Sequence, residues 1–295
     1  MLKLQPNGSR PPLIAINNTG NYYVLSKCLG VDQPFTSLQL FDPSLPQASL
    51  PRTLEDIATG YARLIRQVQP SGPYALLGWC VAGTLAFEVA RQLTASGQSV
   101  SQLVLFDTWA PGHLQRLPWH KSVLADYSYR WKLIAADWAR ARSNKHWLMD
   151  FLGNRIIVQK LMRWLGRQPR RQAKAIGLVD FQPLKDGNDP LAQGLQLSAE
   201  QYDQWLLNYL QDAADSYEPK PYLGTMTLFR SSHEPTGRFL DEKMGWGAFV
   251  DGGVEVVVID GDHFSIFQEP SVSQMAQRIE SAVDVCVAGA SSSAA

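Results

Sequence analysis

Residues 74–83 read Tyr-Ala-Leu-Leu-Gly-Trp-Cys-Val-Ala-Gly. A short apolar run leads into Gly78-Trp79-Cys80-Val81-Ala82-Gly83, a G-x-S-x-G nucleophile elbow with cysteine in the serine slot. The strand-to-helix turn of such an elbow is sharp and strained, so small residues are needed two before and two after the nucleophile. Gly78 and Ala82 occupy those positions, and Gly83 follows. Beyond the turn, Leu85, Val89 and Leu93 recur every four residues with Ala86 and Ala90 beside them, the apolar stripe of a helix. The thiol then stands at a helix N-terminus, where backbone N–H groups and the dipole favour an anion. The competing reading is a buried structural cysteine in a glycine-rich turn.

The rest of the chain repeats this rhythm. Leu13–Ile16 is a short apolar run ended by Asn17-Asn18-Thr19-Gly20, a strand then a loop. Phe35–Leu40, Leu103–Phe106, Thr225–Phe229 and Val254–Ile259 are further strands. From Leu54 to Val68 apolar residues fall three and four apart, an amphipathic helix with Thr53 as N-cap and Asp56 in the capping-box position. Pro70-Ser71-Gly72-Pro73 ends it, and Val272, Met275, Ala276, Ile279 and Val283 stripe a last helix. Strands alternating with helices predict an α/β fold, a mostly parallel central sheet with helices on both faces.

One segment breaks the alternation. Residues 113–222 show helical patterning without a convincing strand and hold six of the nine tryptophans: Trp119, Trp131, Trp138, Trp147, Trp164 and Trp205. This predicts a helical lid inserted into a core made of residues 1–112 and 223–287, with a disordered tail at 288–295. The tryptophans line an apolar substrate tunnel or fill a small helical core. Between Arg155 and Lys174 lie seven basic residues and no acidic one, a solvated helix face or a dock for an acidic partner.

With 295 residues the chain has room for one large domain with an insertion. Zero formal net charge argues against nucleic-acid or anionic-membrane partners. Cys28, Cys80 and Cys286 lie far apart and make neither a metal spacing nor a disulfide framework, which fits a reducing, cytoplasmic compartment. Met1 leads into polar sequence rather than a signal peptide, and no apolar run approaches the ~20 residues of a membrane span.

Ligands of open α/β sheets bind beyond the carboxyl ends of the strands. Cys80, Asp107 and His263 each follow a strand, in the nucleophile–acid–base order of α/β-hydrolases. His263 would take the thiol proton, and Asp107 would hold the other imidazole nitrogen and stabilise the imidazolium. An oxyanion would be met by the N–H of Val81 and by a second N–H near Asn18 or Thr19. Asp260 and Asp262 are too close to His263 in sequence to orient it easily. Glu234 and Asp241 follow the 225–229 strand, the acid position of many other hydrolases. His113, His120, His146 and His233 read as surface residues.

With these residues the chain resembles the type I thioesterase domains that end nonribosomal peptide and polyketide synthetases, over nearly its whole length apart from the interior of the insertion. The resemblance rests on Leu4–Leu13, like the entry into such domains after a carrier protein, and on the elbow and helix over Gly78–Ala90. It rests also on Leu105–Pro111, Gly245-Trp246-Gly247 and Gly261-Asp262-His263-Phe264. It implies an α/β-hydrolase fold with a lid after the acid strand. It implies release of an acyl chain from the phosphopantetheine arm of a carrier protein, with no bound cofactor or metal, by a monomer or a domain of a larger synthetase. The family pattern of His-Pro or a similar pair is replaced by Asn17-Asn18, and its usual serine by Cys80.

The thiol alters the chemistry. Transfer from a pantetheine thioester to serine makes an oxoester, whereas transfer to Cys80 makes a second thioester. The acyl group stays activated, because a thiolate leaves more readily than an alkoxide. That suits closure of a strained ring, a lactam or lactone, and a minority of family members with this cysteine are associated with β-lactam or β-lactone release. The alternatives are hydrolytic release, a stand-alone editing thioesterase, a general esterase needing no carrier, a catalytically dead carrier dock, and a cysteine that is merely tolerated or introduced as a trap.

Overall fold

The computed structural model describes residues 1–17, 19–39, 50–113, 184, 190–191, 197–232 and 241–293. They form a seven-stranded sheet with α-helices on both faces, the α/β-hydrolase arrangement. In chain order the elements are β1 (Leu2–Gln5), β2 (Leu13–Ile16), α1 (Thr19–Cys28), β3 (Phe35–Leu38), α2 (Leu54–Val68), β4 (Tyr74–Trp79), α3 (Val81–Ala95), β5 (Val100–Phe106), α4 (Ala199–Asp215), β6 (Met226–Ser231), β7 (Val254–Ile259) and α5 (Ser271–Ser293). The strand order is β1-β3-β2-β4-β5-β6-β7. Only the edge pair β1–β3 is antiparallel; the other neighbours run parallel.

Period-two alternation sorts the strands' side chains between two cores. Ile14, Ile16, Leu76, Leu103 and Leu105 pack with α2, α3 and α4. Leu13, Ala15, Leu77, Trp79, Val104 and Phe106 pack with α1 and α5. These strands are apolar on both faces because both are covered. The Thr53 hydroxyl caps α2, accepting from the Asp56 N–H at 3.2 Å while donating to the Asp56 carboxylate at 2.7 Å.

Four elements differ from the expectations. β1 lies in the polar, proline-rich entry, where Leu2 and Leu4 alternate with Lys3 and Gln5 on an exposed edge. The stretch expected to be a loop after β2 turns directly into α1, which buries Tyr22 and Leu25 three residues apart, with buried Leu29 just past its end. The backbone of α5 continues to Ser293, into the expected disordered tail, where alanine is a strong helix former. Residues 199–215 were grouped with the insertion, yet α4 buries Tyr202, Trp205, Leu206, Leu210 and Ala213 in the core shared with α2 and α3.

The chain divides into two units. The first comprises Met1–His113, Gln182–His233 and Glu242–Ala295; the second comprises Leu114–Phe181 and Glu234–Asp241. Apart from Asp241, the second unit lies outside the described residues, and so do His120, His146, five of the six insertion tryptophans and the basic run 155–174. No described helix is long and apolar enough to cross a membrane.

The glycines around Cys80 mark where chain segments nearly touch. A Cβ on Gly78 would meet the Ala82 carbonyl oxygen and Gly83 Cα at 2.6 Å, because α3 leaves the strand at close quarters. A Cβ on Gly83 would meet Thr108 Oγ1 at 2.1 Å. Gly83→Ala should therefore destabilise the fold by about 1–3 kcal/mol through overpacking. Urea denaturation of Gly83→Ala with and without Thr108→Ala checks this: the second change should recover part of the loss, and equal losses in both would argue for another cause.

Candidate active site

Cys80 joins β4 to α3 with φ 56° and ψ −133°, a conformation that L-residues rarely adopt. The strain is held by hydrogen bonds on both sides of the residue. The Cys80 N–H donates to the Phe106 carbonyl at 3.1 Å, and the Gly83 N–H donates to the Cys80 carbonyl at 3.0 Å. The Thr108 hydroxyl shares its proton between the Cys80 carbonyl at 3.1 Å and the Phe106 carbonyl at 2.9 Å. The thiol is half-buried, and neither Cys80 nor Cys28 is in a disulfide.

Asp107 follows β5 and also has a positive φ, 41°. Its N–H donates to the Phe229 carbonyl at 2.8 Å, and its Oδ1 accepts from the Ser231 N–H at 2.6 Å. The next strand thus orients this buried carboxylate. Its Oδ2 lies 3.4 Å from Nδ1 of His263, whose ring is also buried. The contact is long, as such contacts often are before substrate binds.

His263 sits in the loop after β7, with Asp107 facing its Nδ1 and Cys80 close enough to act on its titration. Burial, the largest influence, pulls its pKa down, but the hydrogen bonds and charges of Asp107 and Cys80 outweigh it and raise it to about 10. With Asp107 on Nδ1, Nε2 is left for the thiol. The Trp79 ring stacks on the imidazole, with centroids 4.7 Å apart and planes inclined by 29°. From α1 the Tyr22 ring packs edge-on to Phe267 at 5.8 Å. Burial first, and then the charge of Cys80, push the Tyr22 hydroxyl well above its usual range, partly offset by the Trp79 backbone.

The structure thus brings Cys80, Asp107 and His263 to neighbouring strand ends. Of the rival acids, Glu234 lies outside the described residues and Asp241 is exposed. Asp262 caps its own loop, accepting from the Phe264 and Ser265 N–H groups at 3.0 and 2.9 Å. Asp260 accepts from the Ser232 hydroxyl at 2.8 Å. Val81 and Thr19 open α3 and α1, so their N–H groups belong to first turns that lack intrahelical partners. Ile16 is in register with Gly78 in adjacent parallel strands, so the two helices start from neighbouring strand ends. Asn18 lies outside the described residues, as does His233. His113 is half-buried and stacks on Trp109 at 5.7 Å, rather than being a plain surface residue.

Three residues of this neighbourhood escaped the sequence. Thr108 ties the elbow to the acid strand. Trp246, in the Gly245-Trp246-Gly247 motif, donates its indole N–H to the Thr108 carbonyl at 2.7 Å. Asn17, buried with φ 53°, accepts from the Tyr61 hydroxyl at 2.5 Å. The first two follow recognisable motifs, but only the fold reveals their partners.

Residues 18–126 match the family model for the thioesterase domain. The dimodular nonribosomal peptide synthase of Bacillus subtilis strain 168 is 27% identical over 279 residues, which span 93% of this chain and 10% of that protein. Non-reducing polyketide synthase PKS16 of Cladonia grayi is 28% identical over 82% of this chain and 10% of its own length. The chain therefore spans about a tenth of the length of each of these two relatives. A crystal structure of the NocB thioesterase domain in covalent complex with a fluorophosphonate nocardicin G analog shares the fold, with a TM-score of 0.58 at 21% identity over 96% of this chain and 98% of that one.

Proposed function

We propose that this chain is a thioesterase that releases a peptidyl or acyl chain from the phosphopantetheine arm of a carrier protein, through an acyl-Cys80 intermediate. The observation that carries the proposal is the strained Cys80 at a helix N-terminus, with the buried His263 imidazole beside it and Asp107 Oδ2 3.4 Å from Nδ1 of that ring. The thioesterase family match and the synthetase relatives support the substrate class. The Cys80 sulfur attacks the thioester carbonyl carbon, and His263 takes the thiol proton. The tetrahedral oxyanion is met by the Val81 N–H and by a second donor at the start of α1, Thr19 or Asn18. The C–S bond to pantetheine breaks, its electron pair goes to the pantetheine sulfur, and His263 returns the proton there. In the second step an amine or hydroxyl of the acyl chain attacks the acyl-Cys80 carbonyl carbon and His263 accepts its proton; the C–S bond to Cys80 breaks with its electron pair going to the sulfur, His263 returns the proton there, and a lactam or lactone leaves. Retention of thioester activation until that step favours ring closure, including strained rings, over plain hydrolysis.

The test is mass spectrometry of the product released from a substrate-loaded carrier. A product lighter than the free acid by one water is expected; the free acid would indicate hydrolysis, and a lack of turnover would remove the thioesterase assignment. Cys80→Ala should abolish acyl-enzyme formation and cut release by about 10⁴-fold or more. Cys80→Ser should still acylate but lose cyclic product, and an unchanged product ratio would count against the need for a thioester.

Asp107→Asn should lower release by roughly 10²- to 10⁴-fold while the protein stays folded. It should also move the His263 titration, followed by NMR of the imidazole, down from about 10 toward its ordinary 6.5. The sign for stability follows: the raised pKa stabilises the native protein fully below 6.5, and that contribution is lost as pH rises through about 10. The variant should therefore show a smaller alkaline loss of stability than the parent. If Asp241→Asn were the damaging change instead, the acid would be misassigned.

A further inference from the structure

Trp79 directly precedes the nucleophile. Alternation along β4 turns its side chain to the face covered by α1 and α5, the face that also receives Phe267 from the His263 loop. There the indole plane lies on the imidazole of His263, 4.7 Å between centroids and 29° between planes. Both rings are buried, at 7% and 8% exposure. That separation is within the range of a cation–π contact, and tryptophan is the strongest aromatic partner for a cation.

Other aromatic rings set the position of the indole. Phe264 and Phe267 meet Trp79 near-perpendicularly, at 5.6 Å and 73° and at 5.7 Å and 79°. Phe264 also meets the imidazole at 5.3 Å and 87°. Buried tryptophans usually use their N–H. The buried Trp79 Nε1 has no hydrogen-bond partner among the described residues, so no polar contact there dictates the ring's orientation. This cluster turns a flat π face to the imidazole.

We propose that Trp79 is a positioning residue for His263, holding the imidazolium against its indole face so that Nδ1 stays on Asp107 and Nε2 on the sulfur that gains or loses the proton. The proposal rests on the acyl-transfer reading only for its consequence in turnover; the stacking itself belongs to the resting protein. Trp79 makes and breaks no bond. Among the described residues, the titratable groups acting on His263 are Cys80 at the start of α3 and Asp107 after β5. On its own loop Asp262 accepts from backbone N–H groups, and Asp260 accepts from Ser232. Tyr22 approaches from α1, fully buried. The indole adds a neutral partner that favours the charged ring over the neutral one, which neither carboxylate nor thiol does through the ring face.

The test is an NMR titration of the His263 imidazole in the full chain without substrate, for the parent and for Trp79→Leu. Loss of the ring should lower the apparent pKa by about one unit. A companion series replaces Trp79 site-specifically with mono-, di- and trifluorinated tryptophans, which keep the shape and progressively weaken the π face. The pKa should fall stepwise along the series, with kcat falling and KM little changed where turnover is assayed. An unchanged pKa across the fluorinated series overturns the proposal, even if Trp79→Leu misfolds. A stepwise fall in a protein that releases nothing from a loaded carrier would leave the stacking intact and overturn the functional reading instead.

Discussion

The hydrogen bonds between the Cys80 turn and the end of β5 are the constraint on which the site depends. A non-glycine residue at φ 56° and ψ −133° stores strain, of order 1–3 kcal/mol, and persists only where its surroundings leave it no alternative. Here the Cys80 N–H reaches the Phe106 carbonyl, and the Thr108 hydroxyl reaches back to the Cys80 carbonyl. Thr108 is itself held by the indole N–H of Trp246. The same tether joins the strand that bears the thiol to the strand that bears Asp107. Cys80 and Asp107 are thus parts of one rigid unit, the pre-organisation that the proposed chemistry requires.

The two faces of the sheet support that unit differently. On the α1/α5 face, Tyr22, Trp79, Phe106, Phe229 and Phe267 form an aromatic layer under the turn and against the His263 loop. On the α2/α3/α4 face the support is partly ionic. Glu88 of α3 is fully buried, takes two bonds of 2.7 Å from Arg91, and accepts from the Tyr217 hydroxyl at 2.6 Å and Gln92 at 2.9 Å. Burial alone would raise the Glu88 pKa, but these partners outweigh it and lower it. The network fixes the helix behind the nucleophile to the segment that follows α4. A buried carboxylate with so many donors costs little in place and much if one partner is removed.

The sheet was legible in the sequence because its strands are short apolar runs bounded by glycine, proline and aspartate, and its buried helices carry regular stripes. Helix α1 was not legible: Thr19-Gly20-Asn21 reads as loop chemistry, and only the packing of Tyr22 and Leu25 against the sheet overrides it. Strand β1 was missed because an exposed edge carries half the apolar signal of a central strand. The placement of Cys80, Asp107 and His263 at strand ends was legible because each follows a strand within a recognisable motif. Thr108, Trp246 and Glu88 were not, since their importance lies in partners 28 to 138 residues away along the chain.

The position of the acid shows how topology frees one role from one address. The ends of β5 and β6 both lie on the path from β4 to the His263 loop after β7. A carboxylate placed directly after either strand therefore starts on the side of the sheet that carries the His263 loop. In this chain Asp107 follows β5, and the end of β6 supplies the Ser231 N–H to its Oδ1. That bond uses one carboxylate oxygen and leaves the other facing His263 at 3.4 Å. Moving the carboxylate to β6 would give up this inter-strand bond from the Ser231 N–H. Occupying one strand end thus makes the other a support, and the choice is held in place by backbone rather than by a side chain that mutation might exchange.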